Sequence, residues 1–495
     1  MKKLSIKNIS IFILITLIIF GHIYMISFEP YDELWNFQNI YKLYNGHKMY
    51  TDANIIVTPI FYILGLIFFK IFNSTIICFR FFNVCIVITF FILLYNIFKH
   101  LKVSNHIISV FLALILLQFL SIINGGANYN ILCLTFVLLG ILSYLKLFDK
   151  KYFNYLQGFI IFLVFFTKQN LGIYYAIGIL IFEFIYKNNF KEYTLNQIKK
   201  LITFIIPLIL SILVFYFTNT LSDFINYAFG GLLNFGNSNI VFDASPYLLT
   251  TFIIILFFYF YILTNKKIFN EKILNADKRK NLHLIGIITI SISLSLLPII
   301  NTAHLQYIFP FYLMILFYFL DFTILEVLFS QEKHIKFTYI ITIIILLFII
   351  IKIFYSYLSE KDSYTRILDQ TSPFNYTLIS NENYNKISIL KKYIKTQNKE
   401  NKDVIIIAAD SALTMITLNK NNQEFDLVFN GNLGYDGENK LIKKIKSLKN
   451  TELLIYTNED DCFWQESQKV RIYIIENLNR TGEILDYSIY ELNNK

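Results

Sequence analysis

The chain has 495 residues, 56% of them hydrophobic and 16% charged, with 44 Lys and Arg against 34 Asp and Glu for a formal net charge of +10. Apolar runs of about seventeen residues or more recur along it, which excludes a soluble globular protein and predicts a polytopic α-helical membrane protein. Four cysteines (Cys78, Cys85, Cys133, Cys462) with no CxxC or Cys/His cluster argue against a disulfide framework or a zinc site.

The 51 Phe and 35 Tyr, with abundant Ile, Asn and Lys, suggest the AT-rich coding bias of a bacterium. The first apolar run, residues 9–28, follows Lys2, Lys3 and Lys7 and has no small-residue cleavage site after it, so a retained helix is expected. It leads directly into FEPYDELWNF (28–37), where Glu29, Asp32 and Glu33 stand together. Leu34, Phe37, Tyr41 and Tyr44 then recur at helical spacing and predict a short amphipathic helix on the membrane surface. That helix would hold the acids at the water boundary. A carboxylate beside low-dielectric surroundings is drawn toward a proton or a cation, so Asp32 is suited to accept a proton from an incoming hydroxyl. The plainer alternative is that Asp32 and Glu33 cap the helix.

Further candidate spans run at 55–73, 76–98, 107–123, 130–148, 155–168, 170–186, 200–219, 248–264, 284–300, 306–328 and 337–356. If all of them cross, Lys99, Lys102, Lys150, Lys151 and the basic loops 187–200 and 265–281 fall opposite the basic N-terminus, against the positive-inside tendency. If TPIFYILGLIFFK (58–70) lies on the outer face without crossing, all of these clusters move to the cytoplasm together. Thr58-Pro59, Lys70 and the tight join IFNSTI suit such an interfacial or re-entrant helix. The expected map therefore has eleven crossings, one non-crossing hydrophobic helix and a first outer loop at 29–75. Residues 1–356 form the membrane domain, with the N-terminus inside, and residues 357–495 lie outside.

On that map polar residues gather at the outer face. INGGANYN (123–130) carries Asn128, TKQNLG (167–172) carries Lys168 and Gln169, the loop 222–247 carries Asp243, and INTAHLQY (300–307) carries His304. An ammonium at the end of an apolar helix, such as Lys168, is expensive unless it meets an anion or reaches the interface. Arg80 has the forked donors that suit phosphate, or it anchors a helix end. His304 faces a site or hydrogen-bonds a loop. The tail alternates DVIIIAAD (403–410), ENKLIKKIKSLKN (438–450), ELLIYT (452–457) and VRIYII (470–475), and reads as a small α/β domain. No glycine-rich turn follows its strands, so a nucleotide site is unsupported; Asp410 at a strand end is a ligand contact or a helix cap.

A first span followed at once by Asp32-Glu33, an outer-loop stretch, a Thr58-Pro59 hydrophobic helix and Arg80 in CFRFFN resembles the GT-C integral-membrane glycosyltransferases. The branch it is most similar to is that of the protein O-mannosyltransferases and the aminoarabinose transferase, as an order of features over residues 9–310. The resemblance implies transfer of a sugar, with inversion, from a polyprenyl-phosphate donor to a hydroxyl of an envelope glycan, lipid or protein at the outer face of the plasma membrane. It implies Asp32 as general base with Glu33 beside it, Lys168 and Arg80 at the donor phosphate, and His304, Gln169, Asn128 and Asp243 at the substrate. Many relatives have a second acid in the loop that here reads INGGANYN, so no two-carboxylate metal set is visible; no cofactor is assigned and a divalent cation is left open. The expected partners are the donor, the acceptor and the bilayer, with no nucleic acid. The rival classes are a lipid-linked glycan flippase or transporter and an outer-face glycan polymerase. Against the first, mid-span charge is nearly absent apart from Glu183 and no internal repeat is found. Against the second, the 222–247 loop has no Lys or Arg.

Overall fold

The computed structural model describes residues 13–19, 21, 32–123, 129–187, 189–232, 241–264, 276–328, 331–399, 402–407, 411–417, 425, 433–434, 436–456 and 467–492. Glu29, Asn124, Asn128, Asp410 and Cys462 lie outside the described residues. Residues 13–19 are helical. The chain continues through α1 (Asp32–Tyr44), α2 (Ile60–Ile71), α3 (Ile76–His100), α4 (Asn105–Ile123), α5 (Tyr129–Leu147), α6 (Phe153–Phe165), α7 (Gln169–Ile185) and α8 (Phe190–Phe217). After a short helix at Leu221–Ile225 come β1 (Val241–Asp243), α9 (Pro246–Thr264), α10 (Ala276–Ser293), β2 (Ile299–Asn301), α11 (Thr302–Leu328) and α12 (Gln331–Glu360). The polar tail supplies β3 (Tyr364–Arg366), β4 (Leu378–Ser380), α13 (Asn381–Lys399), β5 (Asp403–Ile407), α14 (Ser411–Thr417), α15 (Gly437–Ser447), β6 (Thr451–Tyr456), α16 (Gln468–Asn477), β7 (Asn479–Ile484) and β8 (Tyr487–Glu491).

Among the described residues five helical segments are long and apolar enough to cross a bilayer: Ile76–His100, Tyr129–Leu147, Phe190–Phe217, Thr302–Asp321 and Phe337–Tyr355. Five shorter apolar helices accompany them, and the protein is a multi-pass membrane protein. Helix α2 has 12 residues, roughly 18 Å by the helical rise, against a hydrocarbon core of about 30 Å. Length alone does not single it out, because α6 has 13 residues.

The chain forms two compact units. The first is built from Met1–Ile23, Asn83–Ser211 and Val241–Leu358, the second from Tyr24–Phe82, Ile212–Ile240 and Ser359–Lys495. The polar tail therefore shares its unit with the stretch that contains the acidic pair.

In the first unit, α7 packs on α10, α5 on α6, α6 on α7, and α11 on α4, α9 and α10. Apolar stripes make these contacts, and several polar side chains within them are paired with one another, as a low-dielectric interior favours. Gln157 Nε2 donates to Gly140 O at 2.9 Å and to Ser143 Oγ at 2.6 Å, and Tyr175 OH donates to Gln157 Oε1 at 3.3 Å. This knot ties α5, α6 and α7. Tyr175 reaches it because Gly140 has no side chain; a Cβ there would overlap the tyrosine hydroxyl. Glu183 accepts from Lys200 Nζ at 2.7 Å and Gln197 Nε2 at 2.6 Å, so the one conspicuous mid-sequence acid of the apolar region is paired between α7 and α8.

The second unit holds a four-stranded sheet in the order β5-β6-β8-β7. β5 and β6 are parallel, with Ile405 opposite Leu453, and the remaining pairs are antiparallel. Val404 and Ile406 join Leu390, Ile394, Met415 and Leu454 in one core, while Ile407 joins Leu441, Ile445, Leu453, Val470 and Ile474 in another. Helices thus cover both faces of the sheet, which explains continuous apolar runs such as VIII. VRIYII differs from its reading among the strands: it lies within α16, where Val470 and Ile474, four apart, point into the core.

Helix α1 also differs from expectation. It is buried almost throughout rather than laid on a surface, and the buried set includes Glu33, Asn36, Gln38, Asn39 and Lys42 beside Leu34, Phe37 and Ile40. Three of these polar side chains, Glu33, Asn36 and Lys42, find internal partners. Asn36 accepts from Tyr62 OH at 3.0 Å, and Lys42 Nζ donates to Asp52 O at 3.1 Å. Ile40 packs where Gly65 of α2 leaves room, since a Cβ on Gly65 would overlap its side chain.

Candidate active site

Two groups of the expected site residues are set out, one in each unit. In the second unit α1 begins at Asp32, which is exposed, while the adjacent Glu33 is only 3% exposed. Successive residues on a helix point about 100° apart, so the two carboxylates face different surroundings. Glu33 turns inward to Arg80, itself 5% exposed, and the pair is bidentate: Arg80 Nε donates to Oε1 at 2.6 Å and Nη2 to Oε2 at 3.0 Å. The flat guanidinium matches a carboxylate in this geometry, and a buried charge needs such a partner. Helix α1 is fixed further by Phe37, whose ring lies 5.7 Å from Phe69, 5.9 Å from Phe79 and 5.6 Å from Phe374. At the foot of α3, Ile76 N donates to Pro373 O at 2.9 Å. The start of α1, and with it Asp32, is held by an ion pair and a ring cluster that join α1, α2, α3 and the tail segment.

In the first unit Lys168 precedes α7 in an extended conformation. Its Nζ donates to Oδ1 of the buried Asn130 at 2.7 Å and lies 5.7 Å from the centre of the Tyr129 ring. Its charge also acts on the His304 ring. His304 opens α11, where its backbone N and its Nδ1 meet Asn301 Oδ1 at 2.8 and 2.7 Å. Asn301 ends β2 and pairs with Asp243 at the end of β1; Ser245 N donates to Thr302 Oγ1 at 2.9 Å and closes the same corner. Gln169 is buried beside Lys168 at the start of α7.

The structure therefore brings Lys168, His304 and Asp243 to one end of the first unit, through Asn130 and Asn301. Asn301 was not singled out by its sequence context, and Asn130 was noted only for not being an acid. Both stand at helix ends, Asn130 in the first turn of α5 and Asn301 just before α11. Arg80 and Glu33 are joined to each other. Asn128 lies outside the described residues. Among the described residues no three His, Cys, Asp or Glu side chains cluster in a way that could hold a metal ion.

No protein-family model matches the chain, and no curated protein sequence matches it. Solved structures do match. ArnT from Cupriavidus metallidurans bound to undecaprenyl phosphate is similar with a TM-score of 0.56 and 11% identity over 98% of both chains. The apo state of that aminoarabinose transferase gives 0.55 and 10% over 98% of this chain and 97% of that one. The archaeal oligosaccharyltransferase AglB from Archaeoglobus fulgidus, in complex with an inhibitory peptide and a dolichol-phosphate, gives 0.52 and 9% over 94% of this chain and 72% of that one. Identities this low speak for the fold alone. The chain has the fold of the GT-C integral-membrane glycosyltransferases.

Proposed function

We propose that the protein transfers a sugar from a polyprenyl-phosphate donor to a hydroxyl acceptor at the outer face of the cytoplasmic membrane. The fold supports this class of reaction, since ArnT and AglB are solved with undecaprenyl phosphate and dolichol-phosphate. The observation that carries the assignment of roles is the division of the acidic pair: Asp32 is exposed at a rigid helix start, while Glu33 is held by Arg80. In a single displacement the acceptor oxygen attacks the anomeric carbon, the bond from that carbon to the phosphate oxygen breaks, and the configuration inverts. The acceptor proton passes to Asp32. The departing polyprenyl phosphate keeps the bonding electrons, and the ammonium of Lys168 balances its charge. Arg80, whose donors already meet Glu33, positions the helix of Asp32 through that pair. His304, Asp243, Gln169 and Asn128 contact substrate. The orientation follows the positive-inside assignment, with the N-terminus inside, eleven crossings, α2 held at the outer face and residues 357–495 outside as an α/β region.

The test is to incubate the purified protein with a panel of polyprenyl-phosphate sugars and acceptors and to follow free polyprenyl phosphate. Acceptor-dependent release with at least one sugar is expected. No release from any donor, with the lipid-linked sugars instead moved intact across proteoliposomes, would replace transfer with transport.

A further inference from the structure

The first unit has a cavity of about 710 Å³ at the end of the bundle away from Lys168 and His304. His304 opens α11, and Asp321 in the cavity wall lies further along the same helix, roughly 25 Å away by the helical rise. The wall also carries Lys102, Tyr144, Phe148 and Lys280. Lys280 Nζ lies 4.2 Å from the centre of the Phe148 ring and 5.9 Å from that of Tyr186. Among the described residues neither Lys102 nor Lys280 forms an ion pair with a carboxylate. Tyr144 is 4% exposed, and its hydroxyl is buried with no hydrogen-bond partner among the described residues.

The acids of the cavity are differently placed. Asp321 accepts from Ser104 N at 3.2 Å and from Ser104 Oγ, Asp277 stands in the first turn of α10, where a carboxylate offsets the helix dipole, and Asp149, the third acid of the wall, is exposed to solvent. The ammonium groups of Lys102 and Lys280 and the phenol of Tyr144 are left as donors in the lining, which also holds Lys278. A group with several anionic oxygens satisfies all three, and basic pockets between membrane helices take lipid phosphates in this way. Phe148, 46% exposed, adds an apolar surface beside the basic groups on which acyl chains can lie. We propose that this cavity binds the phosphate of an anionic phospholipid headgroup, at the membrane face opposite the proposed reaction. The site is independent of the glycosyltransferase reading.

Native mass spectrometry of the full-length protein in detergent, titrated with phosphatidylglycerol, tests it. The wild-type protein should retain the lipid, and the double variant Lys102→Gln/Lys280→Gln should bind it on the order of tenfold more weakly. Tyr144→Phe, which removes a single oxygen, should also weaken binding and carries the test if the double variant does not fold. Soluble glycerol 3-phosphate at matching concentration should not displace the lipid. Equal lipid retention by the wild type and the variants would overturn the proposal. Displacement by glycerol 3-phosphate would overturn the lipid assignment and give the site to a soluble phosphate ester.

Discussion

Glu33 and Arg80 show how far one residue's setting decides its role. Both side chains are nearly inaccessible, at 3% and 6% exposure, so removing either partner leaves a charge uncompensated in the interior. Glu33→Gln and Arg80→Ala are each expected to lower stability by about 3–5 kcal/mol. The double change Glu33→Met/Arg80→Leu should recover most of that loss, because a buried ion pair exchanged for apolar side chains is often neutral. Thermal unfolding in detergent reads both effects. Single variants within about 0.5 kcal/mol of wild type would mean that the pair holds nothing. For Lys168, loss of a charge-assisted contact to the donor phosphate predicts that Lys168→Ala raises the donor KM by about tenfold or more. An unchanged donor dependence would return Lys168 to anchoring its helix end. The sequence exposed Asp32 and Glu33 as candidates through their place after an apolar run. It named Asp32 as the base but did not pair Glu33 with Arg80, because that partner lies 47 residues away and only tertiary structure brings it near.

At the scale of elements, apolar periodicity located most helices and two of the four strands of the main sheet, but α1 and α16 show its limits. In α1 the apolar stripe was legible, while the polar stripe was read as wet. That stripe is buried, with internal partners for Glu33, Asn36 and Lys42, and periodicity records polarity rather than exposure. In VRIYII an apolar run of six fits a strand or a buried helix equally, and the spacing of Val470 and Ile474 decided for helix. The β7–β8 hairpin escaped notice because NRTGEI, its first strand, is mostly exposed and polar.

The start of β5 supplies a prediction at this scale. Lys402 Nζ meets Glu452 Oε1 of β6 at 3.2 Å and Glu491 Oε1 of β8 at 2.8 Å, and these two carboxylates raise its pKa above the usual lysine value. A raised folded-state pKa adds stability that is fully present below the unfolded lysine value, about 10.4, and is lost as pH rises through the folded value. Lys402→Gln should therefore lower the unfolding midpoint at neutral pH by an amount worth within about 1 kcal/mol, since the side chain is partly exposed. The gap to wild type should close in strong alkali. A gap that widens with rising pH would contradict the linkage.

For the whole molecule, composition alone announced a polytopic membrane protein, and the order of features over the first 310 residues carried the GT-C resemblance that the structural likeness over 98% of the chain now supports as a fold. The change in composition at 356/357 was legible; that the second compact unit also takes Tyr24–Phe82 and Ile212–Ile240, through contacts such as Phe37 on Phe374, is encoded by no local pattern. Orientation is open to direct measurement. Reporter fusions at the C-terminus should report the periplasmic or external side, and a cytosolic signal would remove the acidic pair from the outer face.

The central claim is that one exposed carboxylate at the start of α1 takes the acceptor proton, and the most direct measurement is the initial rate of polyprenyl phosphate release by Asp32→Asn beside wild type under saturating donor. Asp32→Asn should lose at least about a hundredfold with the unfolding midpoint preserved, as befits an acid–base group on an exposed helix end. Release at the wild-type rate would contradict it.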